Sequence, residues 1–310
     1  MNIIFMGTPH FSLPTLNKLL ENKYNVMKVF TRLDKPQGRG LKIKTTPVGD
    51  YCQNLSLPVF KTGSLKKNEI IEEIKNLNPE AIVVVAFGAF LPKEILQIPK
   101  YGCINLHPSL LPKYRGPSPI HYALLEGDKT TGVTTMILDE GTDTGPILLQ
   151  EEVSILPDDT YGILSSRLAI IGADLMIKTL KELKEGKIIP KPQDNSKATI
   201  TKKIEKEDCK IDWKLPAEKI LNMIRAFNPF PGAYTYFNKK ILKIWEAEIV
   251  PFESDKFLPG MVIDVKSRGI DIACGKDAIR IKKLQLEGKN ACYSYQFTCG
   301  YKILTGELWG

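Results

Sequence analysis

Over its first 185 residues the chain alternates short, almost wholly apolar runs with segments whose apolar residues recur every three or four positions. That alternation confines it to a small set of folds. Residues 3–6, 26–30, 59–60, 81–86 and 103–107 read as strands of a parallel sheet. Leu13, Leu16, Leu19 and Leu20 mark the apolar face of a first helix, and further helices are expected around 47–54, 68–77 and 120–126. Strands at 132–138 and 147–153 and a long helix over 160–184 complete a first domain, residues 1–185. Residues 186–204, with Gly186, Pro190, Pro192 and many lysines but little periodicity, read as a linker. A helix is expected over 216–227, a break at Asn228-Pro229-Phe230-Pro231-Gly232, then short strands at 233–237, 241–247, 261–265, 270–273 and 278–284. The expected fold class is therefore α/β: a Rossmann-like, mostly parallel sheet domain followed by a small closed β-barrel, OB-like, over 205–310.

With 310 residues, 43% hydrophobic and 25% charged, the chain has material for two ordinary globular domains. The first six residues lack the basic flank and apolar length of a signal peptide, and the run 81–91 is far below a membrane span. A cytoplasmic location is expected. Six cysteines are scattered without a C-x-x-C pair, and only His10, His107 and His121 could join them as ligands, so no bound metal is expected. The net charge of +8 is concentrated. Residues 32–44 carry +4 and residues 181–203 another +4. Basic segments on a near-neutral body suit a phosphate backbone, although solubility alone would also account for them.

Chemistry is concentrated in the segment 104–112, Ile-Asn-Leu-His-Pro-Ser-Leu-Leu-Pro. On a strand, residues two apart share a side, so Asn105 and His107 project together while Ile104 and Leu106 pack behind. Pro108 then ends the strand where ligands bind in open α/β sheets. Downstream, Asp139-Glu140-Gly141-Thr142-Asp143-Thr144-Gly145-Pro146 is an acidic loop punctuated by glycine. An Asn, a His and an Asp near strand ends suit acyl transfer without a covalent intermediate. Amide and imidazole donors stabilise an oxyanion by about 3–4 kcal/mol each, and the carboxylate orients the ring and aids proton transfer. Singly, His107 reads as a satisfied histidine at a core edge, Asn105 as a turn former and Asp143 as a cap. No G-x-G-x-x-G turn follows the first strand, and no G-x-x-x-x-G-K-[ST] loop occurs.

These residues resemble the methionyl-tRNA formyltransferase family, within the folate-dependent formyltransferases. The matching stretches are FMGTPHFSLPTL, DKPQGRG, VVVAFGAFLP, INLHPSLLPKYRGPSPI and DEGTDTGPIL in the first half and IDWKLPAEKI and IRAFNPFPGAY in the second. The resemblance implies 10-formyltetrahydrofolate as donor and the α-amine of methionine on initiator tRNA as acceptor. It implies that Asn105 and His107 stabilise the oxyanion and that Asp143 assists the proton transfers. It assigns folate contacts to Ser109, Leu110, Leu111 and Pro112, to Phe87, Gly88 and Leu91, and to Asp139 and Gly141. The basic stretch 32–46 is too long for an ordinary βα connection. By resemblance it reaches the acceptor end of the tRNA with Arg39, assisted by Lys35, Lys42 and Lys44. Arg32-Leu33 and Lys42-Ile43-Lys44 depart from the family pattern, as does a carboxy-terminal end poor in basic residues. No membrane and no stable protein partner is implied. Two other readings stand beside this one: a folate-dependent formyltransferase acting on a small amine, and a non-catalytic RNA-binding relative.

Overall fold

The structure, a computed structural model, describes residues 1–37, 42–253, 256–266 and 268–310. From the amino end the elements are β1 (Asn2–Gly7), α1 (Leu13–Glu21), β2 (Asn25–Arg32), β3 (Lys35–Gln37), β4 (Lys42–Lys44), α2 (Pro47–Asn54), β5 (Val59–Thr62) and α3 (Asn68–Leu77). There follow β6 (Ala81–Val85), α4 (Lys93–Leu96), β7 (Cys103–His107), α5 (Pro119–Glu126), β8 (Thr130–Ile137), β9 (Ile147–Ser154) and α6 (Tyr161–Lys184). The remainder holds α7 (Ala217–Ala226), β10 (Tyr234–Phe237), β11 (Lys240–Val250), β12 (Val262–Lys266), β13 (Gly269–Ala273), β14 (Ala278–Leu286), β15 (Cys292–Tyr293) and α8 (Ser294–Gly300).

Contacts divide the chain into two compact units. The first comprises residues 1–119, 130–154 and 165–201; the second comprises 120–129, 155–164 and 202–310. The segment 186–201 thus belongs to the first unit by contact, and two short stretches that precede it belong to the second.

A seven-stranded sheet, ordered β5-β2-β1-β6-β7-β8-β9, organises the first unit. The pairs from β5 to β7 are parallel, while β8 runs antiparallel to both β7 and β9. Every residue of β6 and β7 is buried, as the continuous apolar runs require of strands covered on both faces. Helix α3 buries Ile70, Ile71 and Ile74 and ends at Asn78, whose φ of 45° gives the left-handed stop. Helix α6 covers the Leu106 side of β7. A side chain at Gly172 would meet Leu106 at 2.7 Å, so glycine permits that approach.

The chain leaves β1 for β2 and β5 on one side and returns to β6 on the other, which opens a crevice at the carboxyl ends of β1 and β6. Thr8 and Ser12 brace it, their hydroxyls donating to the carbonyls of Phe87 (2.9 Å) and Val85 (2.6 Å). The stretch expected as a long basic loop instead contains a hairpin, with Lys35 opposite Lys44 and Gln37 opposite Lys42.

An antiparallel sheet in the order β10-β11-β14-β13-β12, with β15 added to β14, forms the core of the second unit. Leu242, Ile244, Ile270, Ile272, Ile279, Ile281 and Leu284 are wholly buried in it. Among the described residues no helix is long and apolar enough to cross a membrane.

Candidate active site

Asn105 and His107 lie on β7, whose last residue is His107. They are 9% and 4% exposed, and strand alternation sends both to the side opposite Leu106. Among the described residues the Asn105 amide has no hydrogen-bond partner, so its donors are free for a ligand. His107 is held more tightly. Its Nε2 donates to the Tyr114 carbonyl at 2.9 Å, and because a carbonyl only accepts, that nitrogen carries a proton. The other ring nitrogen, Nδ1, faces Asp143 Oδ2 at 3.6 Å. That distance allows charge attraction but exceeds a hydrogen bond of ordinary length.

Asp143 is a non-glycine residue in left-handed backbone, with φ 52°, and its Oδ2 accepts from the Gly116 N–H at 2.8 Å. The loop around it is braced from within. Asp139 accepts from the Gly141 N–H at 3.1 Å and from the Thr144 hydroxyl at 2.7 and 2.9 Å. A side chain at Gly145 would stand 1.9 Å from the Ile137 carbonyl oxygen, so only glycine fits there.

The stretch 109–113 is fastened to β8. Thr134 donates to the Ser109 carbonyl at 2.6 Å and accepts from the Leu111 N–H at 3.2 Å, while Gln150 donates to the Leu111 carbonyl at 2.9 Å. The Ser109 hydroxyl is fully buried and donates to Lys113 O at 2.6 Å.

Of the residues the family resemblance assigns to folate, several have structural duties here. Phe87 is 2% exposed and packs in the core with Ile4, Met6, Ile82 and Ile95. Gly88, by contrast, is exposed at φ 81° with open space around it, and Leu91 is half-buried. Asp139 and Gly141 line a cleft of 470 Å³ together with Lys93, Leu96, Gln97, Leu138 and Glu140. Leu110 and Pro112 are half-buried beside buried Leu111. Of the basic residues, Lys35 and Lys44 are exposed on the hairpin, Lys42 is placed there by its backbone, and Arg39 lies outside the described residues.

Sequence reasoning missed a set of residues at 114–118 and 193–201. Arg115 pairs its N–H with the Thr199 carbonyl (2.8 Å) and its carbonyl with the Thr201 N–H (2.7 Å). The Tyr114 and Ser118 N–H groups donate to the hydroxyls of Thr199 and Thr201 at 2.8 and 3.1 Å. The Gln193 amide reaches the loop of Asp143. The one available signal was the arginine-glycine step inside the matching stretch 104–120. Among the described residues no group of three or more His, Cys, Asp or Glu could hold a metal ion, and all six cysteines are free.

A formyl transferase family model matches residues 1–180, and a model of the formyl transferase C-terminal domain matches residues 203–302. A methionyl-tRNA formyltransferase of Caldanaerobacter subterraneus subsp. tengcongensis is 45% identical over 309 residues, covering 99% of each chain. The chain belongs to the methionyl-tRNA formyltransferase family. It is a formyltransferase, and its two matched regions follow the order of the family's two domains. Among solved structures, the methionyl-tRNA formyltransferase from Clostridium thermocellum aligns with TM-score 0.57 at 22% identity, covering 80% of this chain and 93% of that one. HypX from Aquifex aeolicus in complex with tetrahydrofolic acid aligns with TM-score 0.64 at 17% identity; it covers 96% of this chain, which spans 46% of HypX. At those identities the structures establish the shared fold.

Proposed function

We propose that this chain transfers the formyl group of 10-formyltetrahydrofolate to the α-amine of methionine on initiator tRNA. The observation that carries the reading is the convergence of an unpartnered Asn105 amide, a His107 ring fixed through Nε2 and an Asp143 carboxylate beside Nδ1. The methionine amine attacks the formyl carbon and makes a C–N bond. The carbonyl oxygen becomes an oxyanion, to which the Asn105 amide donates. His107 stabilises the same oxyanion from Nδ1, the ring nitrogen that Asp143 faces. Collapse breaks the bond to folate N10; the amine has lost a proton and N10 has gained one, with Asp143 assisting the exchange. No side chain is acylated.

Folate occupies the crevice bounded by 109–112, Gly88 and Leu91, with Asp139 and Gly141 at its edge. HypX from Aquifex aeolicus, which shares the fold, is bound to tetrahydrofolic acid, in keeping with a folate donor. In functional terms residues 1–185 carry the chemistry, supported by 186–201, which pack with them, and 205–310 engage tRNA. On the carboxy-terminal sheet Lys243 and Lys283, and beside it Lys210, lie 5.6, 5.5 and 5.3 Å from the ring centres of Trp245, Tyr293 and Tyr236, a basic and aromatic surface suited to RNA. Arg39, with Lys35, Lys42 and Lys44, takes the acceptor end. The reaction then belongs in the cytoplasm, with no resident metal.

The deciding experiment measures formyl transfer to Met-charged initiator tRNA beside Met-charged elongator tRNA, free methionine and glycinamide ribonucleotide. Product with the initiator alone is expected. Transfer only to a small amine would move the acceptor elsewhere, and tRNA binding without any transfer would make the chain a non-catalytic relative.

A further inference from the structure

The Gln193 side chain has four hydrogen-bonding positions, two donors and two acceptors, and all are engaged in one small region. Its Nε2 donates to the carbonyls of Asp143 (2.8 Å) and Gly145 (2.7 Å). Its Oε1 accepts from Nε and Nη2 of Arg115 at 3.0 and 2.8 Å. Arg115 is only 7% exposed, and its Nη2 also donates to Asn195 Oδ1 at 2.8 Å. In sequence Arg115 falls between Tyr114, whose carbonyl holds His107, and Gly116, whose N–H holds Asp143. One half-buried amide therefore links the two loops whose backbones set both catalytic side chains.

We infer that Gln193 is a positioning residue for formyl transfer: it fixes the Asp143 backbone so that its carboxylate faces Nδ1 of His107. The inference rests on the formyl-transfer reading of the site. Asp143 needs such a tie, because a left-handed non-glycine residue costs on the order of 1–3 kcal/mol and persists only where its surroundings hold it. Binding the Asp143 and Gly145 carbonyls fixes the peptide plane that follows Asp143 and the loop two residues on. The amide is required for its mixed character. A carboxylate at 193 would still satisfy the Arg115 fork with one oxygen but would turn the other, which has no proton to donate, toward two carbonyl oxygens. An aliphatic side chain would strand the arginine.

The test is Gln193→Glu, which keeps size and the arginine contact while removing both donors. Its kcat should fall on the order of tenfold to a hundredfold, as misplacement of a catalytic group by about 1 Å can cost. KM for folate donor and for tRNA should stay within about twofold. With only three histidines in the chain, ¹⁵N-histidine spectra resolve each ring. The His107 signals should move and those of His10 and His121 should not. Arg115→Lys, which cannot present the same fork, should move the His107 signals in the same sense, and it supplies the readout if Gln193→Glu does not fold. A kcat within about twofold of the parent, or unmoved His107 signals with activity lost only in step with thermal stability, would overturn the inference. Moved His107 signals in a protein that formylates no tRNA would uphold the positioning role while removing the acceptor reading.

Discussion

At the scale of single residues the site depends on where protons sit. His107 Nε2 is committed to the Tyr114 carbonyl, so Asp143 faces Nδ1 alone. Asp143→Asn keeps an oxygen for the Gly116 N–H but removes the charge, and can turn an amide N–H toward the imidazole. Its kcat should fall by on the order of 10³-fold, within the range that loss of acid–base assistance produces. The thermal midpoint should change by only a few degrees, which separates chemistry from folding; equal losses of activity and stability would count against the assignment. His121 makes a different prediction. Its ring stacks on Tyr161 at 4.0 Å, and burial pushes the imidazole down to about 4. The unfolded chain, with an ordinary imidazole, binds more protons than the folded one between about pH 6.5 and pH 4. Stability is thus lost as pH falls through that window, by on the order of 3 kcal/mol in full. Urea melts at pH 7 and pH 4.5 should show the loss, and His121→Phe should remove most of it.

At the scale of elements, strand ends and loops carry the function and their backbones set its geometry. Gly145→Ala places a methyl 1.9 Å from the Ile137 carbonyl oxygen, and the end of β8 must separate from the Asp143 loop. The expected cost is about 1–3 kcal/mol, as for other overpacked sites, with kcat reduced more than tenfold because Asp143 moves with the loop. Urea melts and steady-state rates on the same preparation check both. What could be read from sequence follows the same division. Helix α3 was legible at its full extent, 68–77, because Ile70, Ile71 and Ile74 write a helical period and its burial obeys it. Asn105 and His107 were legible because a buried strand converts a two-residue spacing into a shared side. The hairpin of β3 and β4 was not, because it sets Lys35 against Lys44, and like charges across a ladder give no strand signal. Gln193 and Arg115 escaped for a related reason. Their bonds span 78 residues and begin in a stretch without periodicity, where lysines drew the reading toward charge. Tyr114 contributes a carbonyl, which every residue type possesses.

At the scale of the whole molecule the ordering of charge decides between partners. Half of the +8 excess lies between residues 32 and 44, a segment whose hairpin leaves Lys35 and Lys44 exposed. If Lys35, Arg39, Lys42 and Lys44 each neutralise one phosphate near the single-stranded acceptor end, they release counterions with a slope of about −0.7 per contact in log affinity against log salt. Four contacts give a slope near −3, so tRNA affinity should fall roughly 50-fold between 50 and 200 mM salt from this segment alone. Folate has no phosphate backbone, and its affinity should change little across the same range. Replacing the four residues with alanine should flatten the tRNA slope by about 3 while leaving the folate curve in place. The measurement is a pair of binding titrations at several salt concentrations, one with Met-charged initiator tRNA and one with tetrahydrofolate. Parallel slopes for the two ligands would mean that the segment does not touch phosphate. A tRNA slope that survives the four substitutions would assign the electrostatic contact to the other basic stretch, 181–203, or to the lysine and aromatic pairs of the carboxy-terminal sheet.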